Sequence, residues 1–170
     1  RRMIMNKIVV KLRWEIGGWD DKKTIVPVIY SDFVGNYSKY LNDKIKYFFI
    51  FLKIKMNFNY EDYLYKVFFD SSYGYESVDS VIPLFEKCID EIKKIKSNQM
   101  EEAFLGIGEG YAAEIKKEGV LIYFLYDFEI YGDFSIVSLE CFYKTLINWI
   151  NFLKEKPNLK KEIIFECEMN

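Results

Sequence analysis

Residues 111–130 read YAAEIKKEGVLIYFLYDFEI, and this stretch decides the fold. Two apolar-rich runs, 111–117 and 120–130, flank Glu118-Gly119, a pair suited to a tight turn. With Lys117 opposite Val120, Ile115 falls opposite Ile122, Ala113 opposite Phe124 and Tyr111 opposite Tyr126. All of these share one face, so the hydrophobic pattern and the turn specify the same antiparallel hairpin. The other face carries Glu114, Lys116, Tyr123, Leu125, Asp127 and Glu129, with Tyr131 and Asp133 just beyond. Read as a helix, 111–118 would last only two turns before Gly119. A crossover between parallel strands needs about a dozen residues or more.

Just upstream, 102–107 reads as a strand and Gly106-Ile107-Gly108-Glu109-Gly110 as a turn or bulge. The three glycines invite comparison with a dinucleotide fingerprint. The third comes one place early, and no helix long enough to meet a pyrophosphate follows. Downstream, Gly132 opens a short strand over 133–137. Ser138 then caps a helix to about Lys154, with Leu139, Phe142, Tyr143, Leu146, Ile147, Ile150 and Leu153 as its apolar stripe. Pro157 stops it, and 163–168 forms a closing strand.

Further toward the start, Val81, Ile82, Phe85, Cys88, Ile89, Ile92 and Ile95 recur at helical spacing. Ser80 reads as the N-cap, Pro83 as a first-turn residue and Ser97-Asn98 as the end. Residues 63–69 read as a strand. So does 45–58, where Phe48, Ile50, Leu52, Ile54, Met56 and Phe58 alternate with polar neighbours. Residues 31–43 read as a loop, with a helical turn at most. Residues 24–30 are β-branched enough for a strand, and Pro27 assigns it to an edge. In 8–16, Ile8, Val10, Leu12, Trp14 and Ile16 alternate with Lys7, Val9, Lys11, Arg13 and Glu15, which is a half-buried strand.

The expected architecture is α+β: one antiparallel-rich sheet with two long helices packed on it. At 170 residues the chain fits a single domain that buries a core without staples. Met3 or Met5 reads as the natural start, and residues 1–4 as an added or disordered remnant. A hydrophobic share of 51% with a net charge of −2 excludes a disordered chain. The longest apolar runs, 47–52 and 120–126, fall far short of the roughly 20 residues that span a bilayer. The three cysteines, Cys88, Cys141 and Cys167, are far apart in sequence and read as small buried hydrophobes in a reducing compartment.

The chain contains no histidine. That excludes Ser-His-Asp and Cys-His nucleophilic sites and His-ligated zinc. No catalytic, cofactor or metal-ligating set is expected. Carboxylate chemistry stays open, and Asp127, Glu129 and Asp133 are the residues that would hold Mg²⁺ for phosphodiester chemistry. Charge is uneven along the chain. Residues 1–55 hold twelve basic and five acidic groups, net +7, and 101–140 hold two basic and nine acidic, net −7. Lys7, Lys11 and Arg13 form a basic stripe on the first strand. It offers a route to nucleic acid or, equally, internal partners for the downstream carboxylates. The candidate partner-binding residues are Glu109, Glu114, Tyr123, Asp127, Glu129, Tyr131 and Asp133. Their charge would steer a basic protein partner and their tyrosines would anchor it.

In architecture and composition over most of its length the chain resembles the small immunity proteins of bacterial contact-dependent growth inhibition and related polymorphic toxin systems. The likeness rests on the hairpin block, on Gly132-Asp133-Phe134-Ser135-Ile136, and on the helix ending Trp149-Ile150-Asn151-Phe152-Leu153. It implies a cytoplasmic, non-enzymatic protein that binds one cognate toxin domain, often a nuclease, and occludes its working surface. It implies neither a membrane partner nor direct nucleic-acid binding, and it transfers no site residues by position. The alternatives are a Mg²⁺-dependent phosphodiester enzyme and a non-catalytic structural or ligand-binding module.

Overall fold

In a computed structural model, which describes residues 5–17, 24–48, 67–68, 78–106, 110–124 and 134–169, strand β1 (Asn6–Gly17) shows the expected alternation. Ile8, Val10, Leu12 and Trp14 are buried, while Lys7, Val9, Lys11, Arg13 and Glu15 are partly exposed. β1 is flanked by β2 (Thr24–Val34) and by β7 (Glu162–Met169), both antiparallel to it. Pro27 does lie in an edge strand.

Four further strands make a second sheet in sequential order: β3 (Glu102–Leu105), β4 (Tyr111–Lys116), β5 (Gly119–Phe124) and β6 (Phe134–Val137). The fold is α+β, and its described residues form two antiparallel sheets where one was expected. Among the described residues the full helices are a short one, α1 (Tyr37–Ile45), beside the two long ones expected, α2 (Val78–Lys96) and α3 (Leu139–Leu153).

Residues expected to be loop thus hold the end of β2 and most of α1. The Asn36 side chain accepts from the Lys39 amide at 3.0 Å and caps the helix. Tyr37, Tyr40 and Leu41, at i, i+3 and i+4, supply its buried face. Gly35 makes the approach possible. Its φ is +128°, and a Cβ there would come within 2.2 Å of Asn6 Oδ1, which accepts from the Asn36 amide at 3.0 Å.

Of the expected strands 45–58 and 63–69, most residues lie outside the described ones. Ile45 ends α1, and Phe48 is buried in the turn after it. Val67 and Phe68 are helical, not extended. Phe68 packs on two helices at once, 5.8 Å from Phe85 and 5.4 Å from Phe142 between ring centroids.

Helix α2 begins before Ser80, so Pro83 lies inside it and not in its first turn. The Asp79 carbonyl loses its helical donor, and both residues are exposed where water can replace it. Asn98, with φ +59°, ends the helix in a Schellman motif. Gln99 N donates to Lys94 O at 2.8 Å and Asn98 N to Ile95 O at 3.2 Å. α3 starts where expected, with the Cys141 amide donating to Ser138 Oγ at 3.0 Å.

The 111–130 hairpin has its expected faces and a different register. Ile115 pairs with Val120, Ala113 with Ile122 and Tyr111 with Phe124, two residues from the expected alignment. Lys117 and Glu118 are the turn, and Gly119 belongs to β5. A Cβ on Gly119, whose φ is +156°, would sit 3.1 Å from Val137 O. The glycine serves close approach to β6 and not the turn itself.

One hydrophobic core joins both sheets and all three helices. α2 packs on α3 and β3, and α3 also touches β1, β5 and β7. Trp14 stacks on Phe152 at 5.0 Å, tying the first sheet to α3. Each large apolar side chain fully buried here stabilises by about 1.5–3 kcal/mol.

Candidate partner-binding face

Two of the seven candidate residues lie in the described strands: Glu114 in β4 and Tyr123 in β5. Glu109, Asp127, Glu129, Tyr131 and Asp133 lie outside the described residues. Glu114 pairs across the ladder with Leu121, and Tyr123 with Ala112, so the two are diagonal neighbours on one face as expected. Burial, and then the negative charge of Glu114, raise the Tyr123 phenol above its usual pKa.

This end of the face is only partly open to solvent: Phe104, across from Glu114, is 59% exposed, but the strands beside it are covered. Glu114 forms an ion pair of 3.2 Å with Lys116, and both side chains are about four-fifths buried. Lys116 Nζ also donates to Tyr47 O at 3.4 Å and lies 5.5 Å from the Phe48 ring centroid. Leu121, on the same face, is 2% exposed. The chain leaving α1 covers this part of the sheet. No pattern within the hairpin could have shown that, because the cover comes from elsewhere in the sequence.

The basic stripe sits on the outward face of β1, and each of its cations has a carboxylate partner. Lys7 pairs with Glu166 at 3.0 Å and Lys11 with Glu162 at 3.9 Å, both across to β7. Arg13 pairs with Glu15, whose two oxygens also accept from Tyr30 Oη at 2.8 and 2.9 Å. The Arg13 guanidinium lies 5.1 Å from the Tyr30 ring centroid. Phosphate binding there would have to displace these partners. The sequence signal was the alternation of β7, where Glu162, Glu166 and Glu168 share one face.

Residues 106–110 connect β3 to β4, which run antiparallel with Leu105 opposite Ala113. A dinucleotide site needs a strand feeding a helix, and here one strand leads to another. Among the described residues no group of three Cys, Asp or Glu could hold a metal ion. The Asp127, Glu129 and Asp133 set lies outside them.

Two adjoining clefts open at the Lys117-Glu118 turn. One, of about 430 Å³, brings Lys44, Lys96 and Lys117 together with Glu118, Glu140 and Glu168. Lys96 is held by Glu140 at 2.8 Å and by the Tyr143 ring at 3.7 Å, and Lys117 by Asn98 Oδ1 at 2.8 Å. The other, of about 510 Å³, runs past Asn98, Glu101 and Glu102 toward Tyr47. Both are lined by balanced charge, unlike the apolar pocket with a few convergent polar groups that a small ligand favours.

All three cysteines are buried, as expected. Burial, helped by Glu91, pushes the Cys88 thiol up to about 12, which makes it inert near neutral pH. Among the described residues no helix is long and apolar enough to cross a membrane. No family model matches the chain, and neither a curated protein nor a solved structure matches it.

Proposed function

We propose that this protein is an immunity-type inhibitor. It binds one cognate bacterial toxin domain, a nuclease foremost, in the cytoplasm and covers its active or substrate-binding surface without catalysing a reaction. The supporting observation is the destination of the positive charge on β1. Lys7, Lys11 and Arg13 are matched by Glu166, Glu162 and Glu15. They are therefore not the internal counter-charge for the acidic segment. Among the described carboxylates of that segment, Glu114 is neutralised by its own strand and Glu140 by Lys96. A stretch of net −7 that β1 leaves uncompensated suits a basic partner, such as a nucleic-acid-binding surface. Tyr123 and Tyr131 would add contact area beside the charge.

Co-expression with the product of the neighbouring open reading frame tests this reading. Suppression of that product's toxicity and recovery of a stable complex are expected; toxicity that persists overturns the proposal. Within such a complex, Asp127→Lys with Glu129→Lys should slow association about tenfold at low salt and flatten its salt dependence. An unchanged on-rate would remove these residues from the interface.

A further inference from the structure

Cys141 and Cys167, 26 residues apart, meet where α3 packs on β7. They are 0% and 4% exposed, and Cys167 Sγ donates to Cys141 O at 3.9 Å. The surroundings are polar for a core. Thr145, one turn beyond Cys141, is fully buried, and its hydroxyl has no hydrogen-bond partner. Tyr40 of α1 is 3% exposed, and its hydroxyl is also without a hydrogen-bond partner. The Lys144 ammonium is fixed by Glu166 O at 2.7 Å, one residue before Cys167. Packing alone does not call for two adjoining thiols with an unpartnered hydroxyl one helical turn away, since buried polar atoms without partners destabilise.

We propose that Cys141 and Cys167 form a peroxide-responsive dithiol that closes to an intramolecular disulfide and ties β7 to α3. The two sulfurs are not equivalent. The neighbouring Cys167 and burial hold Cys141 well above the usual thiol range. Cys167 is the less enclosed of the two, 4% against 0% exposed, and is the sulfur that peroxide meets first. Its thiolate attacks one peroxide oxygen, the O–O bond breaks, and hydroxide leaves as water after taking the Cys141 proton. The Cys141 sulfur then attacks the Cys167 sulfenic acid, the S–O bond breaks, and a second water departs. Two thiols lose two electrons, and one peroxide becomes two waters. Peroxide is small enough to enter as the end of β7 frays.

The test uses the whole chain with its three thiols. After graded hydrogen peroxide the protein is unfolded in an alkylating agent, weighed and peptide-mapped. The expected product is lighter by two hydrogen atoms before alkylation, with peptides 141 and 167 linked and Cys88 alone alkylated. Its melting midpoint should rise by about 5–10 °C and fall back on reduction. Cys88→Ala should behave identically, and Cys141→Ser should leave a trappable sulfenic acid on Cys167. Three free thiols at doses that oxidise free cysteine would overturn the proposal. So would over-oxidation of Cys167 without a link, or crosslinks between two molecules.

Discussion

The sheet β2-β1-β7 buries one face and leaves the other to solvent, where Lys7, Lys11 and Arg13 meet glutamates. The sheet β3-β4-β5-β6 is covered on both faces along its β5-β6 side: Gly119 to Ile122 and Phe134 to Val137 are all buried. The first arrangement is written in the sequence as strict alternation, the second as a short apolar run. The difference also separates the energies. Exposed ion pairs contribute about 0–1 kcal/mol each, whereas removing a buried aliphatic side chain costs several times that.

The contrast can be broken most directly with isoleucine. Ile122, fully buried in β5, should lose about 2–5 kcal/mol of stability on Ile122→Ala. Ile164, 56% exposed in β7, should change by no more than about 0.5 kcal/mol on Ile164→Ala. Urea denaturation of the two variants gives the ratio, and equal losses would show that the first sheet is covered on its outer face as well. Glycine probes the same difference at smaller scale. Gly119→Ala places a Cβ 3.1 Å from a backbone oxygen at a positive φ and should cost about 1–3 kcal/mol. Gly17→Ala meets, among the described residues, a Val26 methyl at 3.3 Å and should cost about 0.5 kcal/mol or less. Thermal melts of this pair would place the tight inter-strand packing in the second sheet or refute it. The smallest effect belongs to the ladder on the first sheet. A double-mutant cycle on Lys7 and Glu166 should give about 0.2–1 kcal/mol at low salt and less at 1 M. A coupling that ignores salt would mean the pair is shielded from solvent.

The same contrast explains what could be read in advance. The faces of the 111–130 hairpin were legible because strand side chains repeat every two residues. Its register was not, since a shift of two leaves every face unchanged. What sets it is the space Gly119 needs beside Val137, a residue eighteen positions further along the chain. Helix α1 was hidden because its nine residues are shorter than a helix that holds by itself, and because two of its three buried side chains are tyrosines. In the candidate face, the shared side of Glu114 and Tyr123 was legible and its cover by Tyr47 and Phe48 was not. The pairing of β1 with β7, and the meeting of Cys141 with Cys167, join residues too far apart for any local pattern to register.

The placement of β1 between β2 and β7 also has a consequence in time. Lys7 and Glu166 are neighbours across the ladder and 159 residues apart along the chain. During synthesis at about 5–20 residues per second, β1 can pair with β2 on the order of ten seconds before β7 exists. Throughout that interval its other edge is an open template for a second nascent copy. Lys7, Lys11 and Arg13 stand along this waiting strand, and two such strands brought together would set like charges against each other. The cations that later dock with glutamates would thus first act as guards, discouraging wrong pairings until the right strand arrives.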